Sequence, residues 1–364
     1  MATFISGLCG WLLFASLLVS LLHGFNPNIP LLIAGGLTLL AAVLLFSRLI
    51  PAQKLQMAFF SIAGLALMLL SDVDEVQTFE RALTVNYSVI ALLLSVRFLR
   101  LITQTRITEA DSPQADKTLW KTLLGVFAFT AVINFSAVVI FGDRLAKNHK
   151  LDKTQFMILS RMLGANALYS PFFVGLGVAM IHSGGAQFYL LLTIGFLMAL
   201  CGVIATGINC SYVLKKDAMD FNGYPMHFET LSIPILLTLL VLVAYFVFEN
   251  VSHLTLVSAV IVLTVMAILF LRQPGQLVPE MKKHIETNLS NAATEVILFL
   301  SAGILAVGIS EFSHTIHFLI PFAVFDGYHA AIILLTTILA SLVGVHPIVS
   351  ISVFGGLLTP LAPN

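Results

Sequence analysis

The chain has 364 residues, 59% of them hydrophobic and 10% charged, with 18 Lys and Arg balancing 18 Asp and Glu and a mean hydropathy of +1.00. This composition lies outside the usage of soluble globular domains, and a zero net charge without a basic run excludes nucleic acid as a partner, because phosphate binding needs a concentrated cationic face. Cys9, Cys201 and Cys210 sit in apolar stretches without C-x-x-C spacing, so they read as small buried hydrophobes and not as a disulfide framework or zinc site.

A bilayer core about 30 Å thick takes roughly 20 apolar residues per helix. Lipid offers no partner to unpaired backbone groups, so the spanning elements are expected to be helices. Apolar stretches run 4–22, 30–50, 55–70, 83–102, 119–141, 156–181, 187–212, 231–248, 254–271, 292–310 and 330–358. The first has no Lys or Arg before its apolar run, which argues against a cleaved signal peptide.

Lys and Arg retained in short cytoplasmic loops orient the stretches. Arg48 and Lys54 place their loop inside and the N-terminus with it; the acidic loop with Asp72, Asp74, Glu75 and Glu80 falls outside. Arg97, Arg100, Arg106, Lys117 and Lys121 fall inside again. The loop with Arg144, Lys147, Lys150 and Lys153 is also basic, although only 119–141 separates it from the previous basic loop. Both ends of that stretch face the cytoplasm, so 119–142 reads as a re-entrant hairpin turning near mid-membrane at INFS, 133–136, with its backbone covered by protein or a cavity.

The stretch 156–181 then crosses outward to an HSGG turn and is itself broken within RMLGANALYSPFF by Gly164, Asn166, Ser170 and Pro171. The stretch 187–212 returns to Lys215 and Lys216, and 231–248 with 254–271 goes out and back to Arg272. Lys282, Lys283, His284 and Glu286 interleaved with Leu277, Val278, Met281, Ile285 and Leu289 suit either a helix in the cytoplasmic interface or a solvated loop. The stretch 292–310 crosses outward to Glu311, His314, His317 and Asp326. The last, 330–358, is too long for one straight helix and carries Gly344, His346 and Pro347 near its middle, where proline removes a donor and disfavours helix before it. It reads as a second hairpin, entering from outside.

The expected fold is therefore an all-α polytopic membrane protein, an inverted repeat with two re-entrant hairpins and discontinuous helices, set in a bacterial inner membrane. Residues 1–82 form an N-terminal scaffold of transmembrane helices; 83–215 form a first repeat with hairpin 119–142 and broken helix 156–181. Residues 216–274 are connecting helices, and 275–364 hold the interfacial helix and an incomplete second repeat with hairpin 330–358. Interrupted helices in corresponding positions of two halves bring helix ends and free backbone groups to a midplane site in transporters of this kind.

The order of AVINFSAVVIFG, GANALYSPFFVG, EVILFLSAGILAVGIS and LVGVHPIVSISVFGG over residues 84–364 resembles the ion transporter superfamily, which includes arsenite permeases and divalent-anion/sodium symporters. The match is one of architecture. Members commonly carry an Asn/Thr or Ser-Asn-Thr element at the hairpin tips. The first tip here keeps Asn134 and Ser136, and the second has His346 and Pro347 instead. The resemblance implies a small anion or organic acid as substrate, sodium or protons as driver, and a homodimer. It also implies a second discontinuous helix after Leu361, so the sequence reads as truncated, with the native chain continuing past Asn364.

Helix N-termini at the hairpin turns each carry about half a positive charge and suit an anion without a buried Lys or Arg. A sodium ion needs carbonyl and hydroxyl oxygens, which unwound backbone supplies around Asn134, Ser136, Asn166 and Ser170. The candidate substrate and ion site is thus Asn134, Ser136, Gly164, Asn166, Ser170, His346, Pro347 and Ser350, with sodium near Asn134 and Asn166 and no other cofactor. Asn134 and Asn166 equally suit plain interhelical hydrogen bonds. His346 suits proton coupling or a turn satisfied by carbonyls. Ser350 and Ser352 suit the site or bonds within their own helix, and Arg161 suits a substrate carboxylate or snorkelling to the interface. Glu295 and Glu311 read as interfacial, and Gly35, Gly36, Gly303 and Gly308 as close-packing positions.

Secondary transport competes with two other classes: a membrane-embedded enzyme acting on a lipid-linked substrate, and a passive channel. Neither H-E-x-x-H nor G-x-S-x-G occurs, which weighs against the enzyme.

Overall fold

The computed structural model describes residues 2–71, 74–103, 119–146, 150–182, 187–217, 221, 228–315 and 326–358. In chain order the helices are α1 (Ala2–Phe25), α2 (Leu31–Leu45), α3 (Pro51–Leu69), α4 (Glu75–Thr84), α5 (Tyr87–Thr103), α6 (Leu119–Ile133), α7 (Phe135–Leu145) and α8 (Lys153–Asn166). They continue with α9 (Val174–His182), α10 (Phe188–Asp217), α11 (Phe228–Val247), α12 (His253–Arg272), α13 (Leu277–His284), α14 (Ala293–Thr315), α15 (Gly327–Leu342) and α16 (Pro347–Leu358). No strand occurs among the described residues. Seven of the described helical segments are long and apolar enough to cross a membrane. Apolar side chains stand exposed along α10, α11 and α15, a surface suited to hydrocarbon and not to water. The chain has the architecture of an α-helical integral membrane protein.

Contacts divide the chain into two compact units, one of residues 1–97, 177–186 and 276–364, the other of 98–176 and 187–275. In the first, α14 packs against α3, α4 and α16. Glycine allows the α3 crossing: a Cβ on Gly64 would lie 2.6 Å from the Ile304 carbonyl oxygen, and one on Gly308 would strike the Gly64 carbonyl. In membrane helices such small residues let backbones meet where lipid gives no hydrophobic drive to association. Ion pairs fix both ends of α14: Glu295 meets Arg97 of α5 at 3.0 Å, and Glu311 meets Arg81 of α4 at 2.5 Å.

Helix termini follow their sequence signals. Asp152 and Gln155 form a reciprocal capping box at the start of α8, with Gln155 N–H donating to Asp152 Oδ1 at 2.7 Å and Asp152 N–H to Gln155 Oε1 at 3.0 Å. At the end of α15, Gly344 adopts φ +102°. Its N–H donates to the Ser341 carbonyl at 3.1 Å while the Val345 N–H reaches back to Ala340 at 3.0 Å, a Schellman closure that needs a left-handed residue. Pro347 then opens α16 at a position where its missing N–H costs nothing.

Some expectations need correcting. The stretch 83–102 falls within one candidate span, Glu75–Ile102, but a two-residue turn at Val85 and Asn86 separates α4 from α5. Asn86 sits in the break, 3% exposed; its Nδ2 donates to the Phe299 carbonyl at 2.8 Å, and no hydrogen-bond partner for its Oδ1 stands among the described residues. Gly303 makes room for that amide, since a Cβ there would lie 3.1 Å from Asn86 Nδ2. The segment after α13 runs through a π-helical turn, Ile285–Leu289, and a 3-10 turn into α14. Gly36 faces open space and Cys201 is exposed, whereas Cys9 and Cys210 are buried. The predicted loop cations Arg106, Lys117 and Lys147, the end of the HSGG turn, His317 and the chain after residue 358 lie outside the described residues.

Candidate functional site

The second unit holds two helix interruptions joined by side-chain-to-backbone bonds. The first is the single residue between α6 and α7. Asn134 takes φ +53°, in the left-handed region that asparagine tolerates better than other side chains. Its N–H closes α6 onto the Thr130 carbonyl at 2.9 Å, and its carbonyl accepts the Ala137 N–H at 3.1 Å to open α7. The chain reverses here: the rings of Phe129 and Phe141 meet edge-on with centroids 5.5 Å apart. In an unbroken helix those two positions would be separated by about 18 Å along the axis.

The second interruption follows α8. Ala167 and Leu168 N–H groups bond back only three residues, to Gly164 and Ala165, before the chain loses helical order and resumes at Val174. Pro171 sits in the gap, where it cannot donate. A close approach of α10 supports this segment: a Cβ on Gly195 would strike the Leu168 carbonyl. Tyr169 is held between Phe127 and Phe196 at centroid distances of 5.3 and 5.2 Å.

Between the interruptions lies a neutral polar cluster. Asn134 Nδ2 donates to the Phe172 carbonyl at 2.8 Å. The fully buried Asn166 donates through Nδ2 to the Thr130 carbonyl and, at 3.4 Å, to Asn134 Oδ1. The Ser170 hydroxyl, also fully buried, donates to the Ala131 carbonyl and accepts the Phe172 N–H at 3.2 Å. Thr130 is fully buried and returns its hydroxyl to Val126 O at 2.8 Å. Asn166 Oδ1 is buried, and no hydrogen-bond partner for it stands among the described residues. Leaving such an acceptor unmet costs about 1–3 kcal/mol. The cluster thus offers an amide oxygen to a donor or a cation, beside the N-termini of two short helices, α7 and α9.

Three of the expected residues, Asn134, Asn166 and Ser170, come together in this way. Gly164 does not join them: it is exposed on α8 with open space where a Cβ would go. The side chain of Ser136 lies outside the described residues. His346, Pro347 and Ser350 belong to the first unit, at the turn between α15 and α16 and in the first turns of α16. There His346 and Pro347 are exposed, and Ser350 is 6% exposed. Sequence reasoning missed Thr130, the Phe172 carbonyl and Asn86. Only Asn86 left a signal, an amide inside an otherwise apolar run.

No protein-family profile, no curated protein and no solved structure matches the chain.

Proposed function

We propose that the protein is a secondary active transporter of a small anion or organic acid, coupled to sodium or protons, working by alternating access about the cluster at Asn134 and Asn166. The observation that carries this reading is the pairing of two helix interruptions through Asn134 and Asn166, with a buried amide oxygen left over. Discontinuous helices of this kind serve transporters by presenting helix N-termini to anionic groups and unwound carbonyls to cations. Here α7 and α9 would present their N-termini to the anion. Asn166 Oδ1 and neighbouring main-chain oxygens would meet the coupling cation. On this reading α6–α7 and α15–α16 are re-entrant hairpins of an inverted repeat in a bacterial inner membrane, as in the ion transporter superfamily, and the protein works as a dimer.

Thermal unfolding of the purified protein against a panel of inorganic anions and carboxylates, each with sodium, with potassium and at two pH values, tests the proposal. A ligand at 100 times its dissociation constant stabilises by about 2.7 kcal/mol. Stabilisation by one anion that depends on sodium or pH is the expected result. No stabilisation anywhere in the panel would remove the anion-transport reading.

A further inference from the structure

We infer that a groove beside the first turns of α1 binds the headgroup of an aminophospholipid, a site independent of the transport reading. It begins with the π-helical turn Ile285–Leu289, whose extra residue widens the helix; such turns recur at functional sites. Helix α1 crosses this turn at van der Waals contact through two glycines. A Cβ on Gly10 would strike the Ile285 carbonyl, and one on Gly7 would lie 3.6 Å from Glu286 Cγ. Ser6 Oγ and Ser290 Oγ, 2.7 Å apart, fasten the crossing.

Beside the crossing lies a groove of about 730 Å³, with Phe4, Leu8 and Trp11 on one wall and Glu286 and Thr287 on the other. Ser6 also lines it. Phe4 is 75% exposed, Leu8 44% and Trp11 43%, and the same helix continues with exposed Leu18 and Leu22, a track long enough for an acyl chain. Trp11 donates its indole N–H to Glu286 Oε1 at 3.3 Å, an amphipathic ring placed as tryptophans are at a membrane interface. Arg48 donates through Nη1 to the Oγ of the lining residue Ser6 at 3.2 Å, so a guanidinium stands one hydrogen bond from the groove.

The lining therefore carries one carboxylate and an apolar track, with a guanidinium bonded to its Ser6 hydroxyl. A headgroup with a primary ammonium and a phosphate matches both charges, and its acyl chain matches the track. The ammonium has three N–H donors for the carboxylate. A choline headgroup has none, and an anionic headgroup without an amine can set its phosphate beside Arg48 but brings no ammonium donor to Glu286. The apolar track selects a membrane lipid over a free amine in water.

The test is native mass spectrometry of the full-length protein, released from an equimolar mixture of phosphatidylethanolamine, phosphatidylcholine and phosphatidylglycerol of the same acyl chains. Wild type is expected to retain phosphatidylethanolamine over the other two by roughly tenfold, the scale of one charge-assisted hydrogen bond. Glu286→Gln should bring it down to the phosphatidylcholine level. Thr287→Trp, which fills the groove from an exposed position, should lower retention of phosphatidylethanolamine as well. Equal retention of the three lipids by wild type, or a preference that survives either substitution in protein of unchanged thermal stability, overturns the assignment.

Discussion

The side-chain amide of Asn134 donates to the main-chain carbonyl of Phe172 at 2.8 Å, so the turn between α6 and α7 is tied to the gap between α8 and α9. One side chain thus does two things. Its backbone takes the left-handed conformation that reverses the chain, and its amide satisfies a carbonyl that the broken helix leaves without an intrahelical donor.

These two roles separate by substitution. Asn134→Gly keeps the φ +53° turn and loses the two side-chain hydrogen bonds, to the Phe172 carbonyl and from Asn166 Nδ2, each about 0.6 kcal/mol by the average for membrane proteins. Asn134→Ala loses the same bonds and, unlike glycine, keeps a Cβ in the left-handed region without asparagine's tolerance of it, which costs about 1–2 kcal/mol more than glycine. The alanine variant should therefore unfold at lower temperature than the glycine variant. Equal stability of the two would show that residue 134 is not left-handed in the working protein.

Gly195 is the point where α10 touches the interrupted segment. A methyl group there collides with the Leu168 carbonyl, a backbone atom that moves only if the whole gap moves. Gly195→Ala should lower thermal stability and weaken any ligand-induced stabilisation. Gly202→Ala on the same helix meets nothing within 4 Å, and Gly164→Ala likewise, so both should be near neutral. A harmless Gly195→Ala would mean that α10 does not brace the site.

The start of α15 should respond to acid. Asp326 caps it, accepting the N–H groups of Tyr328 and His329 at 3.0 Å each. The His329 amide, with the His329 side chain and the Tyr328 amide, holds the Asp326 carboxyl below its ordinary value despite some desolvation. A depressed carboxylate contributes stability that is present above its unfolded value, about pH 4, and is lost as pH falls through the lower native value. Hydrogen exchange at Tyr328 and His329 should accelerate below that window in wild type. Asp326→Asn keeps a cap without a titrating group and should show no such acceleration; if it does, the carboxylate is not the cause.

Two interruptions were legible from residue type: the Gly344–Pro347 turn and the Asn166–Pro171 segment carry a residue suited to positive φ or lacking a donor. The turn at Asn134 was legible from charge, since basic loops flank 119–141 on both sides. The break at Asn86 left only the amide itself as a signal, with mostly apolar residues around it from Leu83 to Leu94. The π-helical turn could not be read at all, since what packs against it, Gly10 at Ile285 and Gly7 at Glu286, comes from more than 270 positions away in sequence. Thr130 was equally silent: its hydroxyl bonds within its own helix as threonines in apolar helices commonly do, and reaches Met162 of α8 only at 3.5 Å, while its carbonyl, reached by Asn166, places it in the cluster.

Asn166 gives the sharpest test of what the cluster holds. Its Nδ2 is engaged by Thr130 and Asn134, and no hydrogen-bond partner for its buried Oδ1 stands among the described residues. Asn166→Asp changes the amide into a carboxylate of nearly the same shape. If the site receives no cation, an unpaired buried charge should destabilise the protein by about 3–5 kcal/mol in every salt. If it receives sodium, the added charge strengthens that binding, so the variant should be weak in choline chloride and recover steeply as sodium replaces choline at constant ionic strength. Asn166→Ala removes the oxygen and should lose whatever sodium dependence the wild type has. Recovery in sodium for the Asp variant, together with loss of sodium dependence in the Ala variant, assigns the oxygen to a cation. Uniform destabilisation of the Asp variant in all salts, with an Ala variant that responds to sodium as wild type does, reduces Asn166 to a strut between two broken helices.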